Sequence, residues 1–377
     1  MPLKRVVAQQ RARMLIERMV LENRLPHALL FWGPAGSGKS AAAIELARWL
    51  NCRTGLDGPC DVCDSCKQFC LLEHPHLLYI LPLPGHALAD AESGELTDAG
   101  AQELTEILKR KGELLYCSTE FPGGQNILIG QIRALLQWAG MKSFEDYPRI
   151  ALIEKADQLR EEAANALLKL LEEPPPNFIL IITAQSLDDI LPTLRSRCQA
   201  VEFDPLQTET IENFLRSLGS LEEAEIMRIA QLSAGNLTRA LQFVAQSAET
   251  TTLYEFAINV VRHSLGRNPL GFDPLVEAWS RLDAGSQHLV LEIIASWLRD
   301  AAFIQKCGKD AYPRVIHRER LEWLEKFVVN CRQADFLQAV SCVEVARRNL
   351  QRNVLAPLAL LTLSRGLYRA IYQCPPI

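Results

Sequence analysis

Three short runs of consecutive apolar residues stand out along the chain. They are Ala28–Trp32, Ile150–Ile153 and Phe178–Thr183. Apolar runs of this length, without polar alternation, are typical of strands buried on both faces of a parallel sheet. Much of the chain around them has apolar residues three and four positions apart, as amphipathic helices do. The pattern therefore predicts an α/β domain in which helices cover both faces of a parallel sheet.

The clearest helical pattern lies between the second and third apolar runs. It begins near Glu161, places apolar residues on one face, and ends at the prolines 174–176, which cannot continue a helix. The predicted buried face consists of Ala164, Leu167, Leu168 and Leu171. From residue 205 to the end, the apolar residues again follow helical spacing. The second half of the chain is therefore predicted to be helical.

A glycine-rich loop, GPAGSGKS at residues 33–40, follows the first apolar run and precedes the helical pattern AAAIELARWL. It matches G-x-x-x-x-G-K-[ST], in which backbone N–H groups surround a phosphate chain, the lysine reaches the outer phosphates and the hydroxyl binds Mg²⁺. The motif predicts a nucleotide site, with ATP and Mg²⁺ as the cofactors it allows. The alternative is a glycine-rich turn without a ligand. The predicted binding residues are Gly33, Gly36, Gly38, Lys39 and Ser40.

The second apolar run ends in Glu154 and Lys155. In phosphate-loop enzymes this strand ends in an Asp that helps to hold Mg²⁺. Glu154 keeps a carboxylate, but Lys155 cannot activate water, because a charged ammonium has no lone pair with which to accept a proton. We therefore expect nucleotide binding with little or no hydrolysis. The alternative is that Asp157 takes over a catalytic role.

Several of the eleven cysteines are crowded between residues 52 and 70. Four of them have the spacing C-x₇-C-x₂-C-x₂-C: Cys52, Cys60, Cys63 and Cys66. Four thiolates at such spacing can surround Zn²⁺ at about 2.3 Å each, which leaves no open coordination position for catalysis. We predict a structural zinc site, with an apolar or redox role for the cysteines as the alternative. Cys70, His74 and His76 could replace a ligand.

The overall composition narrows the class of protein. The 377 residues suffice for two or three domains, and 48% apolar with 23% charged residues is ordinary for a folded protein. The net charge of −5 argues against a surface that binds nucleic acid over its whole area. No apolar stretch approaches the roughly 18 residues of a membrane span, and the N-terminus lacks the apolar core of a secretory signal. We expect a cytoplasmic protein without a membrane partner.

Two segments around the third apolar run resemble a known family. The sequence NALLKLLEEPP before it and LPTLRSRC at residues 191–198 after it resemble the AAA+ clamp-loader subunits of DNA replication. The resemblance implies that Arg197 reaches the ATP of a neighbouring subunit as a trans arginine finger, which stabilises charge on the transferring phosphoryl group. It also implies that Arg239, in SAGNLTRAL, senses nucleotide phosphates in cis from a lid helix. Ordinary surface cations are the alternative for both.

The same resemblance implies three domains. Residues 1–204 would form an α/β P-loop AAA+ domain, with the zinc module inserted at about residues 50–72. Residues 205–248 would form a small helical lid, and residues 249–377 an all-α collar through which subunits oligomerise.

Residues 85–126 do not fit this pattern. They are rich in alanine, glycine and acidic residues before a helix-like stretch, AQELTEILKRKGELLY. We interpret them as an insertion in the ATPase domain, to which the sequence assigns no role. Residues 126–135 then resemble the strand and helix with which the family continues.

Within the family, the chain most resembles the delta prime type of subunit of bacterial DNA polymerase III. Motor subunits of the gamma or tau type keep an Asp-Glu pair where this chain has Glu154 and Lys155. The resemblance implies a rigid scaffold with little or no ATPase activity of its own, as a component of the DNA-directed DNA polymerase III holoenzyme. Its partners would be gamma/tau and delta, and, through the complex, the sliding clamp and primed DNA. Two alternatives stay open: a gamma/tau-like motor that hydrolyses ATP, and a free-standing AAA+ remodeller of replication forks.

Overall fold

The computed structural model describes residues 3–55, 58–90, 94–121, 123–124, 126–141, 147–219, 221–245, 247–266, 272–317, 320–352 and 354–372. Within these ranges the chain forms two compact units. The first consists of Met1–Ser217 together with Gly235–Gln242, and the second of Leu218–Ala234 together with Phe243–Ile377.

In its described part, the first unit is built on one five-stranded sheet in which every strand pair is parallel. The strands are β1 (Ala28–Trp32), β2 (Leu77–Ile80), β3 (Arg149–Ile153), β4 (Phe178–Ala184) and β5 (Gln199–Glu202). Their order across the sheet is β2-β3-β4-β1-β5. The three predicted strands are confirmed as β1, β3 and β4, while β2 and β5 at the two edges were missed because their apolar runs are short and interrupted.

Helices α1 to α8 belong to the first unit, as does most of α10. They are α1 (Gln10–Leu21), α2 (Lys39–Leu50), α3 (Asp64–Leu71), α4 (Asp98–Glu113), α5 (Ile129–Gly140), α6 (Glu161–Glu172), α7 (Pro192–Arg195), α8 (Thr208–Leu218) and α10 (Leu237–Ala245). Buried side chains of α5, α6 and the strands form one apolar core. Upstream of α5, Asn126 and Ile127 make only single bridges instead of the predicted strand.

The second unit is helical in its described part, as the spacing of apolar residues predicts. Its helices are α9 (Glu223–Leu232), α11 (Ser247–Ser264), α12 (Asp273–Arg281), α13 (Ala284–Cys307), α14 (Leu321–Asn330), α15 (Phe336–Gln351) and α16 (Ala356–Tyr372). The long α13 packs against α11, α14 and α15. The indole of Trp279, on α12, is fully buried and donates to the carbonyl of Ala356 at the start of α16, at 2.8 Å.

The helices within the predicted lid, residues 205–248, are α8, α9 and α10. Helix α8 and the start of α10 belong to the first unit, whereas α9 belongs to the second. The domain boundaries at residues 204 and 248 remain predictions.

Helix α6 shows how the apolar pattern becomes a packed face. Leu167 is completely buried in the apolar core of the first unit. Ala164 and Leu171 are also buried and Leu168 is half-buried, so the side of α6 that was predicted to be buried packs into the core. The first turn carries Glu161 and Glu162, which favour the positive end of the helix dipole.

Replacing Leu167 with Ala should lower the free energy of unfolding by about 2–5 kcal/mol, because it leaves a cavity in a core that cannot fully close. Urea denaturation followed by circular dichroism measures this. The control is Asn165→Ala on the exposed face of the same helix, which should stay within about 0.5 kcal/mol of the unaltered protein. Equal effects of the two substitutions would contradict the packing described.

Candidate nucleotide-binding site and cysteine cluster

The glycine-rich loop connects the end of β1 with the start of α2. Gly33, Gly36 and Gly38 all have positive φ angles, of 141°, 68° and 101°. At Gly36 a Cβ atom would lie 1.8 Å from the side-chain oxygen of Asn236, so a larger residue is excluded both by its backbone angle and by its neighbour. The loop therefore has the conformation in which backbone N–H groups and the N-terminus of α2 can surround a phosphate.

Lys39 lies within this loop and is 8% exposed. Its ammonium donates to the carbonyl oxygens of Gly33 and Pro34, at 2.6 and 2.7 Å. Burial lowers the pKa of Lys39 to about 8, against the opposing effect of the Glu154 and Asp157 carboxylates. The side chain is thus held at the loop as a cation that can bind phosphate oxygens.

Glu154, at the end of β3, is the acceptor of three side-chain hydroxyls. Ser40 donates to Oε1 at 2.7 Å, Thr119 donates to Oε2 at 2.8 Å, and Tyr79 donates to the same Oε2. Burial by itself would raise the pKa of Glu154, but the Lys111 ammonium and these three hydroxyls hold it below its usual value. Glu154 is therefore an ionised carboxylate beside the phosphate loop.

Sequence reasoning missed three of these partners. Tyr79 comes from β2, and Lys111 and Thr119 come from the segment interpreted as an insertion. Lys111 and Thr119 line the same cavity as Gly36, Lys39 and Ser40, so the insertion forms part of the site. A lysine and a threonine on a polar segment carry no local signal of such a role.

Lys155 has a left-handed backbone, with φ 58° and ψ 55°. Its N–H donates to the hydroxyl of Thr183 at 3.2 Å, and its ammonium pairs with Glu120 at 3.0 Å. Lys155 and Asp157 both line the cavity. Oδ1 of Asp157 is buried and, among the described residues, has no hydrogen-bond partner.

The two arginines of the predicted site occupy different places. Arg239 is on α10 and lines the cavity. In the part of the chain that the structure describes, Arg197 lies outside this cavity, where it pairs with Glu172 at 2.7 Å and donates to the carbonyl of Thr193 at 3.1 Å.

The predicted cysteine cluster is present. Ligand atoms of Cys52, Cys60, Cys63 and Cys66 all lie within 4.8 Å of one another, and the sulfurs of Cys60 and Cys66 are 3.9 Å apart. Sulfurs that share a tetrahedral metal at about 2.3 Å are about 3.8 Å apart. The cluster therefore has the size and the donor atoms for one metal ion.

Backbone N–H groups support this cluster. The N–H of Cys63 donates to the sulfur of Cys60 at 3.3 Å, and the N–H of Cys66 donates to the sulfur of Cys63 at 3.4 Å. Hydrogen bonds from the Thr54 hydroxyl and from the N–H groups of Cys63 and Val62 lower the pKa of Cys60 to about 5. Burial raises the pKa of Cys66. A metal would bind all four as thiolates and release the remaining protons.

The three alternative ligands have other partners. Arg5 and Arg48 donate to the sulfur of Cys70, at 3.6 and 3.5 Å. His74 is hydrogen-bonded to Ser65 at 3.1 Å, and His76 to Asn51 at 3.2 Å. The cysteine loop is also tied to α2, because its Asp61 pairs with the buried Arg48.

The first unit has the architecture of a P-loop domain. It combines a parallel sheet, a glycine-rich loop with a buried lysine, and a carboxylate after β3 that contacts the loop serine. Sequence comparison identifies the family of the chain. The chain belongs to the family described as DNA polymerase III, delta subunit, whose profile matches residues 8–207.

Curated relatives agree with this family. DNA polymerase III subunit delta' of Bacillus subtilis is 26% identical over 357 residues, which are 92% of this chain and 92% of that protein. Subunit delta' of Haemophilus influenzae is 24% identical over 330 residues, 86% of this chain and 84% of its own length. The tau subunit of Bacillus subtilis is 24% identical over 248 residues, 64% of this chain but 37% of tau. Across the described residues, no helix combines the length and apolar character needed to cross a membrane.

Replacing Gly36 with Ala should lower the free energy of unfolding by about 1–2 kcal/mol, because a side chain in the left-handed region is strained, and its methyl group would displace Asn236. Urea denaturation measures the change. Gly140→Ala is the control, since its Cβ would enter open space at the end of α5. That substitution should leave stability unchanged or raise it by up to about 1 kcal/mol, and a loss there equal to that of Gly36→Ala would refute the argument.

Proposed function

We propose that this chain is a delta prime-like AAA+ subunit of the DNA polymerase III clamp loader, which loads the sliding clamp onto primed DNA during replication. The family match over residues 8–207 supports this, as does the similarity to subunit delta' over 92% of both chains. Its partners are the gamma/tau and delta subunits, and, through the complex, the clamp and DNA. We place this role in the cytoplasm.

The chain acts in this complex as a scaffold and not as a motor. The observation that carries this proposal is Lys155, whose ammonium pairs with Glu120 at the rim of the nucleotide cavity. An activated water would need a proton acceptor near Glu154, and a paired ammonium cannot serve as one. The pocket then binds ATP or ADP and holds the subunit in one conformation.

Arg197 supplies the arginine finger to a neighbouring ATPase subunit. Its side chain is 37% exposed, on the surface segment that follows α7, so another subunit can reach the guanidinium. A guanidinium can donate two parallel hydrogen bonds to a phosphate, and it could exchange Glu172 for that ligand. Arg239 binds the phosphates of this chain's own nucleotide from the lid.

The domains take the corresponding roles. Residues 1–204 form the AAA+ domain with its zinc module at about residues 50–72, and residues 205–248 form the lid. Residues 249–377 form the helical collar that holds the subunits together. Zn²⁺ bound by the four clustered cysteines is structural, because four protein thiolates complete its coordination.

The isolated chain should release phosphate from ATP no faster than a protein-free sample, because the Lys155 ammonium cannot accept a proton from the attacking water. A phosphate-release assay tests this. Steady ATP turnover that is abolished by Lys39→Ala would contradict the scaffold role and favour a gamma/tau-like motor. Turnover accompanied by self-assembly into rings on size exclusion would favour the free-standing remodeller.

In the reconstituted complex, Arg197→Ala should slow hydrolysis at the neighbouring active site by on the order of 10³-fold, the usual contribution of an arginine finger. Single-turnover phosphate release with clamp and primed DNA measures it. Arg195→Ala, two residues away on α7, is the matched control and should retain the original rate. Equal rates for the two variants would remove Arg197 from this role.

Elemental analysis of the native chain should find one zinc per molecule, and replacement of both Cys63 and Cys66 with Ser should remove it, since two thiolates cannot complete a tetrahedral site. Cys70→Ser is the control and should retain the metal, because the sulfur of Cys70 accepts hydrogen bonds from Arg5 and Arg48 and is not part of the cluster. A native, fully folded preparation without metal would show that the cluster serves another purpose.

A further inference from the structure

The insertion is packed firmly onto the rest of the first unit. A Cβ atom at Gly112, near the end of α4, would lie 2.1 Å from the carbonyl oxygen of Cys70, so the two backbones approach too closely for any side chain. Arg5 donates to the carbonyl of Gly112 at 3.2 Å. At its other end, α4 is capped by Thr97, which accepts the N–H of Gly100 at 3.1 Å. These contacts hold α4 in place.

The residues after α4 form part of the cavity wall. The buried hydroxyl of Tyr116 accepts the N–H of Val7 at 2.8 Å. Thr119 then donates to Glu154, and Glu120 pairs with Lys155. The segment therefore contacts both residues that directly follow β3, Glu154 and Lys155.

Lys111 brings a positive charge to the same place. It is 4% exposed, lines the cavity with Lys39 and Ser40, and donates to the carbonyl of Cys117 at 3.0 Å. A buried ammonium needs an opposite charge nearby, since its desolvation otherwise costs too much free energy. Burial lowers the pKa of Lys111, and the charge of the Glu154 carboxylate opposes this effect.

The fit of Mg²⁺ to this donor set is poor. The bond from Ser40 to Oε1 of Glu154 is compatible with a metal, because the hydroxyl keeps its lone pairs. The other oxygen, Oε2, already accepts hydrogen bonds from Tyr79 and Thr119. Oε1 keeps one lone pair with which it could bind a metal, but the Lys111 ammonium would repel a divalent cation there.

We propose that Lys111, supplied by the insertion, takes the electrostatic role of Mg²⁺ in this pocket, so that the chain binds a nucleoside di- or triphosphate without a divalent metal. The inference rests on the nucleotide binding proposed above. Lys39 and Lys111 line the same cavity and together offset the charge of the phosphates. The insertion therefore forms part of the nucleotide site, and its lysine makes nucleotide binding independent of Mg²⁺.

Isothermal titration of the full chain with ATP, in excess Mg²⁺ and again in EDTA, tests the inference without any substitution. The two dissociation constants should agree within about threefold, because the counter-charge belongs to the protein. A loss of more than tenfold in EDTA would overturn the inference, and it would point to a bound metal, with Asp157 as a candidate ligand, while leaving nucleotide binding itself intact.

Lys111→Met removes the charge and keeps most of the side-chain volume. In EDTA it should weaken ATP binding by about tenfold or more, the usual effect of losing a charged hydrogen-bond donor, and excess Mg²⁺ should restore part of the loss. Lys111→Arg should retain most of the affinity. Lys109→Met, on the exposed face of the same helix, is the matched control and should bind as the unaltered chain does.

Thermal melting without nucleotide establishes that each variant is folded before titration. Unchanged affinity of folded Lys111→Met in EDTA would overturn the inference. Absence of ATP binding by the unaltered chain in both conditions would overturn the inference and the proposed nucleotide binding together, while the arginine-finger role of Arg197 would still be decided by the reconstituted complex.

Discussion

The half-buried, ionised carboxylate of Glu154 is the interaction on which the arrangement of the first unit depends. A charge in that position is stable only if hydrogen bonds and an opposite charge replace the water it has lost. Ser40 supplies one bond from the phosphate loop, Tyr79 one from β2 and Thr119 one from the insertion, while Lys111 supplies the charge. Three separate parts of the chain are thus required to meet at the end of β3.

This requirement explains why the described part of the insertion is tied to the domain. A polar segment without a buried partner would be free to move over the surface. Here its helix contacts the backbone at Cys70, and its end contacts Glu154 and Lys155. The contact between Glu120 and Lys155 also occupies the one group that replaces a catalytic base. The same segment therefore contributes to the structure of the pocket and, in the proposed scaffold role, to the absence of a catalytic base.

The cysteine cluster is linked to the nucleotide site through α2. Arg48 on this helix is fully buried and pairs with Glu45 at 3.1 Å and with Asp61 of the cysteine loop. Helix α2 also begins with Lys39 and Ser40 of the phosphate loop. A metal bound by the four cysteines would hold the loop that contacts Arg48, and thereby the helix that begins at the phosphate loop. This is the structural role expected of a closed zinc site.

The sequence alone determined the features that depend on local pattern. Unbroken apolar runs identified β1, β3 and β4, glycines and a lysine at fixed spacing identified the phosphate loop, and cysteine spacing identified the four sulfurs that the structure brings together. Each is a property of a few neighbouring residues, so no knowledge of the rest of the chain was needed.

Only the tertiary structure decided which distant residues complete the nucleotide site. Thr119 is 35 residues from Glu154 in the chain, and Tyr79 is 75 residues away. No periodicity or motif relates positions so far apart. The grouping of α9 with the C-terminal helices, and the burial of Lys111 within a helix of mixed polarity, are likewise set by which surfaces pack together. The physical reason is that a lone lysine or threonine acquires its chemistry from the neighbours that folding provides, and those neighbours are not adjacent in sequence.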